Sequence, residues 1–375
     1  MRLLTVVGAR PQFVKAATVS RAIAAHNSAG GVPPIAETIV HTGQHYDHNM
    51  SQRFFEEMDI PQPRYNLGVG SGPHGETTGR MLAGIEEVLQ AEQPDVVLVY
   101  GDTNSTLAAA LAAAKLHLPV AHVEAGLRSY NMRMPEEVNR LLTDRLSRWL
   151  FCPTVTAVKN LEREGMPAAV AVGRELQAQE VLQVGDVMYD AVLHYRDRAR
   201  PSPEIGELLG RYPEGFFLAT VHRAENTDSI ANIGGIVKAL ETLSRLLPVV
   251  LPLHPRTRRA LAAAGIHTDE LVTIDPVGYF DMLVLLGKCR VVLTDSGGVQ
   301  KEAYFFEKPC VTLREETEWV ELVEGGFNVL VGADPDRIVV GAESMLCTRP
   351  SFGPQLYGDG NAATRVVQAI ARYAP

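Results

Sequence analysis

Arg290-Val291-Val292-Leu293-Thr294-Asp295-Ser296-Gly297-Gly298, running on into the helical stretch Val299–Phe306, is where the fold can be read. An apolar strand that passes through two glycines straight into a helix is one half of a βαβ unit. Glycines there let backbone N–H groups approach a phosphate at the helix N-terminus, and Ser296 adds a hydroxyl donor. Glu302, four residues beyond Gly298, is placed to accept hydrogen bonds from a ribose diol. The same residues also make an ordinary tight turn with a dipole-stabilising glutamate.

Outward from this stretch the pattern repeats. Leu3–Val7, Glu37–His41, Val96–Tyr100, Val120–Val123 and Leu150–Cys152 read as buried strands, with helices near 12–25, 75–92, 103–116 and 135–148. After Pro201-Ser202-Pro203 it restarts, with strands near 216–221, 248–253, 271–274, 291–294, 310–313 and 327–331. Such alternation predicts an α/β chain of two doubly wound, Rossmann-like domains, 1–175 and 176–375, facing a cleft. Ligands bind such sheets at the carboxyl ends of their strands. The last segment, Gly360–Tyr373, has a helical pattern and is a candidate to dock back on the first domain.

Composition agrees with two soluble domains. The chain has 375 residues, too many for one ordinary core, and is 46% hydrophobic and 21% charged. A net charge of −9 argues against a nucleic-acid partner. Gly8-Ala9-Arg10-Pro11 cuts the apolar start short of a signal-peptide core, and no apolar run approaches the ~18 residues of a membrane span. Cys152, Cys289, Cys310 and Cys347 lie far apart, against a zinc ribbon or a disulfide framework. A cytoplasmic enzyme is expected, with no membrane contact.

Candidate chemistry collects at predicted strand ends. Arg10 and Lys15, in Gly8-Ala-Arg-Pro-Gln-Phe-Val-Lys15, stand near the positive end of a helix that Pro11 opens. Asp102 follows Gly101, Glu124 ends the strand Val120–Val123, and Glu136 follows Pro135. In the second half, His222 and His254 end their own strands. Each has a plain alternative: Asp102 as a helix cap, Glu136 paired with Arg140 four residues on, His222 as a loop histidine. Four titratable groups at strand ends of two domains together favour a catalytic cleft. No HExxH or similar spacing suggests a metal, and GxGxxG, the dinucleotide fingerprint, is missing.

These segments resemble the non-hydrolysing UDP-N-acetylglucosamine 2-epimerase family over nearly the whole chain. The resemblance is carried by Gly8-Ala-Arg-Pro11 with Lys15, Thr42-Gly-Gln-His45, Gly101-Asp-Thr103, His122-Val-Glu-Ala-Gly-Leu-Arg128, Pro135-Glu-Glu137 with Asn139-Arg140, His222-Arg223, and Thr294-Asp-Ser-Gly-Gly-Val-Gln300 with Glu302. It implies a glycosyltransferase-B type fold, a homodimer, and UDP held mainly by the C-terminal domain. By position, Arg10, Ser296, Gly297 and Gly298 would contact the diphosphate region and Glu302 the ribose. Asp102, Glu124, Glu136 and His222 would form the acid–base set, with Lys15 close by. Two departures stand out. Met282 occupies the position where many members place an aromatic against uracil, so a thioether replaces stacking. Tyr46-Asp47-His48 departs from the segment at which some bacterial members bind a second, activating UDP-GlcNAc. Gly8-Ala-Arg-Pro-Gln-Phe, Val184-Gly-Asp-Val-Met-Tyr-Asp190 and Arg314-Glu-Glu-Thr-Glu-Trp319 look like a branch acting on UDP-2,3-diacetamido-2,3-dideoxy-glucuronate. Its extra carboxylate would want a cation, for which Arg133, Arg223 and Arg314 are candidates.

The expected reaction is interconversion of UDP-GlcNAc and UDP-ManNAc, with the uronate as alternative substrate, without metal or nicotinamide. C2 of an N-acetylhexosamine is not next to a carbonyl, so simple enolisation is closed. A base takes H2, the C1–O bond breaks to leave a glycal and UDP, and UDP then re-adds to C1 while a proton returns to C2 from the opposite face. Which carboxylate is base and which acid stays open. The rivals are a retaining glycosyltransferase of the same fold, a hydrolysing epimerase and a nucleotide-sugar sensor.

Overall fold

The computed structural model describes residues 1–43, 58, 60–166, 179–348, 350–353 and 355–373. Gln44, His45, Tyr46, Asp47 and His48, and the expected domain boundary at 175/176, lie outside the described residues. The chain divides into two compact units, Met1–Ala191 with Gln355–Pro375, and Val192–Pro354.

The first unit is built on β1 (Arg2–Val7), β2 (Ala36–His41), β3 (Tyr65–Asn66), β4 (Val96–Tyr100), β5 (Val120–Val123), β6 (Trp149–Cys152) and β7 (Glu180–Gln183). They form a parallel sheet in the order β3-β2-β1-β4-β5-β6-β7. The sequence Val-Val-Leu-Val-Tyr of β4 is buried throughout, as a central parallel strand covered on both faces must be. The alanine-rich helix Asn104–Lys115 presses close between helices His74–Glu92 and Pro135–Leu146, since its small side chains combine high helix propensity with little bulk. Strand order reverses between β1 and β4. At that switch point the loops after the two strands diverge and leave a crevice, the place where doubly wound sheets take ligands.

The second unit repeats the plan with β8 (Phe217–Thr220), β9 (Val249–Pro252), β10 (Val272–Ile274), β11 (Val291–Thr294), β12 (Cys310–Thr312) and β13 (Asn328–Leu330), in the parallel order β10-β9-β8-β11-β12-β13. Its switch point lies between β8 and β11. One face of this sheet packs Phe217, Ala219, Leu251 and Leu293 against Ile236, Leu240 and Ile338. The other packs Leu218, Val250 and Val292 against Leu285, Leu286 and Ile205.

The chain's last helix, Ala362–Ala371, belongs to the first unit and packs on helix Arg10–Ser28. Its buried residues Ala362, Ala363, Val366, Val367 and Ile370 recur at three- and four-residue steps, the apolar stripe of a surface helix. Beyond it, Tyr373 sets its ring edge against Trp149, centroids 5.2 Å apart, with the Arg148 guanidinium 4.9 Å from the Tyr373 ring. Before it, the returning chain touches the outgoing one. Asp186 N donates to Tyr357 O at 2.9 Å, and a Cβ on Gly358 would come within 3.0 Å of Gly185 Cα. Both glycines have positive φ, +93° and +88°, so neither the conformation nor the approach admits a side chain.

Candidate active site

In the first unit two of the acidic candidates, Asp102 and Glu124, stand at the carboxyl ends of neighbouring strands, and each is clamped by a cation. Asp102, one residue past Gly101 at the end of β4, is ion-paired with Arg140. Its main-chain carbonyl accepts from Asn139 Nδ2 at 2.9 Å. The helix cap is Thr103, whose hydroxyl accepts from Thr106 N, so Asp102 is not spent on capping. Arg140 also pairs with Glu137 at 3.1 Å. Glu137 in turn accepts from Ser129 N and Oγ and from Tyr130 N, at 2.9, 2.9 and 3.0 Å. Glu124, at the end of β5, is ion-paired with the buried Lys15 amine. Its φ is +74°, a region costly for a residue with a Cβ. Such an outlier at a strand end points to a side chain held where function needs it. Gly101, with φ +61°, lies beside that pair: a Cβ there would sit 3.1 Å from Glu124 Oε2 and 3.3 Å from Lys15 Nζ. Glu136 is half-buried in the first turn of helix Pro135–Leu146, and Arg10 is the first residue of helix Arg10–Ser28.

Gln12 braces this switch point. Its Oε1 accepts from Gly8 N (2.8 Å) and Ala9 N (3.0 Å), at the end of β1. Its Nε2 donates to Tyr100 O (2.7 Å) and contacts Thr103 Oγ1 and Thr106 Oγ1 (both 3.0 Å), past β4. The loops carrying Arg10 and Asp102 are thereby fixed to each other.

Asp295 plays the same part in the second unit. Buried at the end of β11, its carboxylate accepts from His222 N, Arg223 N and Asn226 Nδ2 at 3.0–3.1 Å. This ties the turn after β8 to the turn after β11. The His222 ring is half-exposed, with Nδ1 3.3 Å from Asp295 Oδ1 and its centroid 5.5 Å from that of His254. Burial lowers the His222 pKa, Asp295 works against that, and the charges of Arg223 and Arg256 add to the lowering. His254 caps helix Pro255–Ala264, its Nδ1 accepting from Arg256 N. Ser296 caps helix Gly297–Phe305 and leaves Gly298 exposed at the N-terminus, where backbone donors are available to an anion. Glu302 is buried in the same helix.

The remaining candidates stand apart from these turns or are engaged. Met282 is half-buried against the second unit's core. Arg314 is buried and paired with Glu318 at 2.9 Å, and the Glu318 carboxylate lies against Gly297. Of the other cations proposed for a sugar carboxylate, Arg133 is exposed and Arg223 half-exposed. Gln12, His122, Asp144 and Asp295 all fell inside or near quoted motifs without a role. Most of their partners lie far away in sequence.

Comparison with known proteins gives a consistent picture. The profile described as UDP-N-acetylglucosamine 2-epimerase matches residues 31–371. The UDP-2,3-diacetamido-2,3-dideoxy-D-glucuronate 2-epimerase of Pseudomonas aeruginosa is 52% identical over 99% of this chain and 100% of its own. Among solved structures, the Methanocaldococcus jannaschii UDP-GlcNAc 2-epimerase in complex with UDP-GlcNAc and UDP is 39% identical, with a TM-score of 0.89 over 100% of both chains. The Neisseria meningitidis UDP-GlcNAc 2-epimerase bound to UDP-GlcNAc is 30% identical, with a TM-score of 0.84, again over 100% of both.

Proposed function

Because the chain belongs to the UDP-N-acetylglucosamine 2-epimerase family and is a UDP-sugar 2-epimerase, an isomerase, we propose that it works by elimination and re-addition of UDP. A carboxylate of the first unit takes the C2 proton, and the C–H electron pair becomes the C1=C2 double bond. The C1–O pair leaves with UDP. A second carboxylate returns a proton to the other face of C2 as the diphosphate oxygen re-attacks C1. The observation that carries this reading is the pair Asp102 and Glu124, each clamped by a cation at adjacent strand ends beside the switch point. Glu136 completes the set. The Ser296-Gly297-Gly298 turn and Arg10 hold the diphosphate, Glu302 the ribose, and His222 stabilises charge on the leaving group.

The substrate we infer is UDP-2,3-diacetamido-2,3-dideoxy-D-glucuronate. The Pseudomonas relative of that name is more similar to this chain than the archaeal UDP-GlcNAc enzyme, and Arg133 and Arg223 offer cations to its carboxylate. UDP-GlcNAc is the second reading, favoured by the two structures solved with it. The same reading takes the protein to be a cytoplasmic homodimer that supplies a cell-surface polysaccharide precursor, with dimer mass checked by light scattering. Among the described residues no helix is long and apolar enough to cross a membrane.

Proton NMR of the enzyme with each UDP-sugar in deuterium oxide tests the proposal. The epimer must appear with deuterium at C2, and faster with the uronate. Protium retained at C2 of completed product would sink the elimination route. Dominant UDP and free sugar would mean a hydrolysing enzyme.

A further inference from the structure

We propose that His122 is a positioning residue that, by bridging Asp144 to the Gly101 carbonyl, holds the turns bearing Asp102 and Glu124 in fixed register. The proposal rests on the acid–base reading of those two carboxylates. His122 is fully buried on β5, two residues before Glu124. Its Nε2 lies 2.7 Å from Gly101 O, and its Nδ1 lies 2.7 Å from Asp144 Oδ1. A carbonyl oxygen only accepts, so Nε2 carries a proton. Asp144 also accepts from Arg128 Nη1 at 2.7 Å and from Gly126 N at 3.2 Å. Burial pushes the Asp144 carboxyl up, but hydrogen bonds and charges from His122 and Arg128 outweigh it and hold the group below the usual range. Asp144 is therefore an ionised acceptor at neutral pH, met by His122, Arg128 and Gly126.

The charges around the ring alternate. Arg128 forks onto Glu164 at 2.6 and 2.8 Å while its Nη1 holds Asp144. Asp144 and Arg128 also act on the buried Cys152 thiol, which burial pushes well up. On the other side of Gly101 stand Lys15 and Glu124, and beyond it Asp102 with Arg140. The buried ring is thus held between one carboxylate and one turn.

Asp144, Asn139 and Arg140 belong to one helix, Pro135–Leu146. Asn139 and Arg140 hold Asp102 directly, while the Asp144 carboxylate holds Gly101 through His122 and accepts from the Gly126 N–H. The helix that presents Glu136 therefore also sets the positions of both other carboxylates. The His122 side chain, itself on β5, links that helix to the turn after β4.

Steady-state kinetics and UDP affinity of variants at His122 test the proposal. His122→Asn retains a donor toward Asp144 and releases Gly101, so kcat should fall at least about 30-fold while KM and UDP affinity stay within about threefold. A fall in affinity equal to that in kcat, or an unchanged kcat, overturns the positioning role. If that variant does not fold, His122→Gln decides by the same split between kcat and UDP affinity. Should Asp102→Asn and Glu124→Gln both keep normal rates, the acid–base reading fails and takes the positioning role with it. Dead carboxylate variants beside a fully active His122→Asn would overturn the positioning role alone.

Discussion

Gly297 and Gly298 are the same residue in two settings. A Cβ at Gly297 would fall 2.3 Å from Glu318 Oε1, whereas one at Gly298 meets nothing nearer than Ser296 Oγ at 4.0 Å. Gly298→Val should leave the fold intact and put methyl groups where the diphosphate is proposed to sit. Calorimetry should then record at least a tenfold loss of UDP affinity, about 1.4 kcal/mol, with an unchanged melting temperature. Full affinity would take the diphosphate off this turn. Gly297→Ala must instead displace a carboxylate that Arg314 holds, and should lower stability by about 1–3 kcal/mol. The turn itself was legible in the sequence, because glycines between an apolar strand and a helix have a local meaning. The residues that brace it were not. Asp295 acts on His222 and Arg223, 73 and 72 positions away, and Gln12 acts on Thr106, 94 positions away. Such partners meet only once the sheet order is known, and no spacing in the chain announces it.

Helix Ala362–Ala371 starts against a buried carboxylate. Asp190 Oδ2 accepts from Ala363 N at 2.8 Å. Burial nonetheless raises the Asp190 pKa from 3.8 to about 6, only partly offset by the hydrogen bonds from Ala363 and Ala362. The folded state therefore binds this proton more tightly than the unfolded chain does. Stability should fall as pH rises from about 4 to about 6 and carry a constant penalty above that, on the order of 3 kcal/mol at most. Asp190→Asn keeps an acceptor for the helix and removes the charge. Its melting temperature should exceed the native one at pH 8 and lose that slope between pH 4 and 6; a slope unchanged by the substitution would acquit Asp190. At this scale most long elements were readable from apolar runs, β4 and β11 above all. The edge strands β3 and β7 were not. Tyr65–Asn66 is too short to show a period, and Glu180–Gln183 is largely half-exposed or exposed, without the apolar run of a central strand. The division at Ala191/Val192 falls inside helix Val187–Tyr195, so no linker composition marks it.

Each unit has its own core, but only the second is a continuous piece of chain. Both of its hydrophobic clusters draw all their buried members from 205–345, within Val192–Pro354. A fragment of residues 192–354 should therefore unfold cooperatively by circular dichroism and still bind UDP. A fragment that folds but ignores UDP would move the nucleotide site elsewhere, and one that does not fold would make this core dependent on the first unit. Residues 1–191 alone should fare worse, since they lack the helix that covers Arg10–Ser28. The back-to-back glycines 185 and 358 stand close to where the chain leaves the first unit and where it comes back, so the long excursion through the second unit starts and ends at neighbouring points of the first.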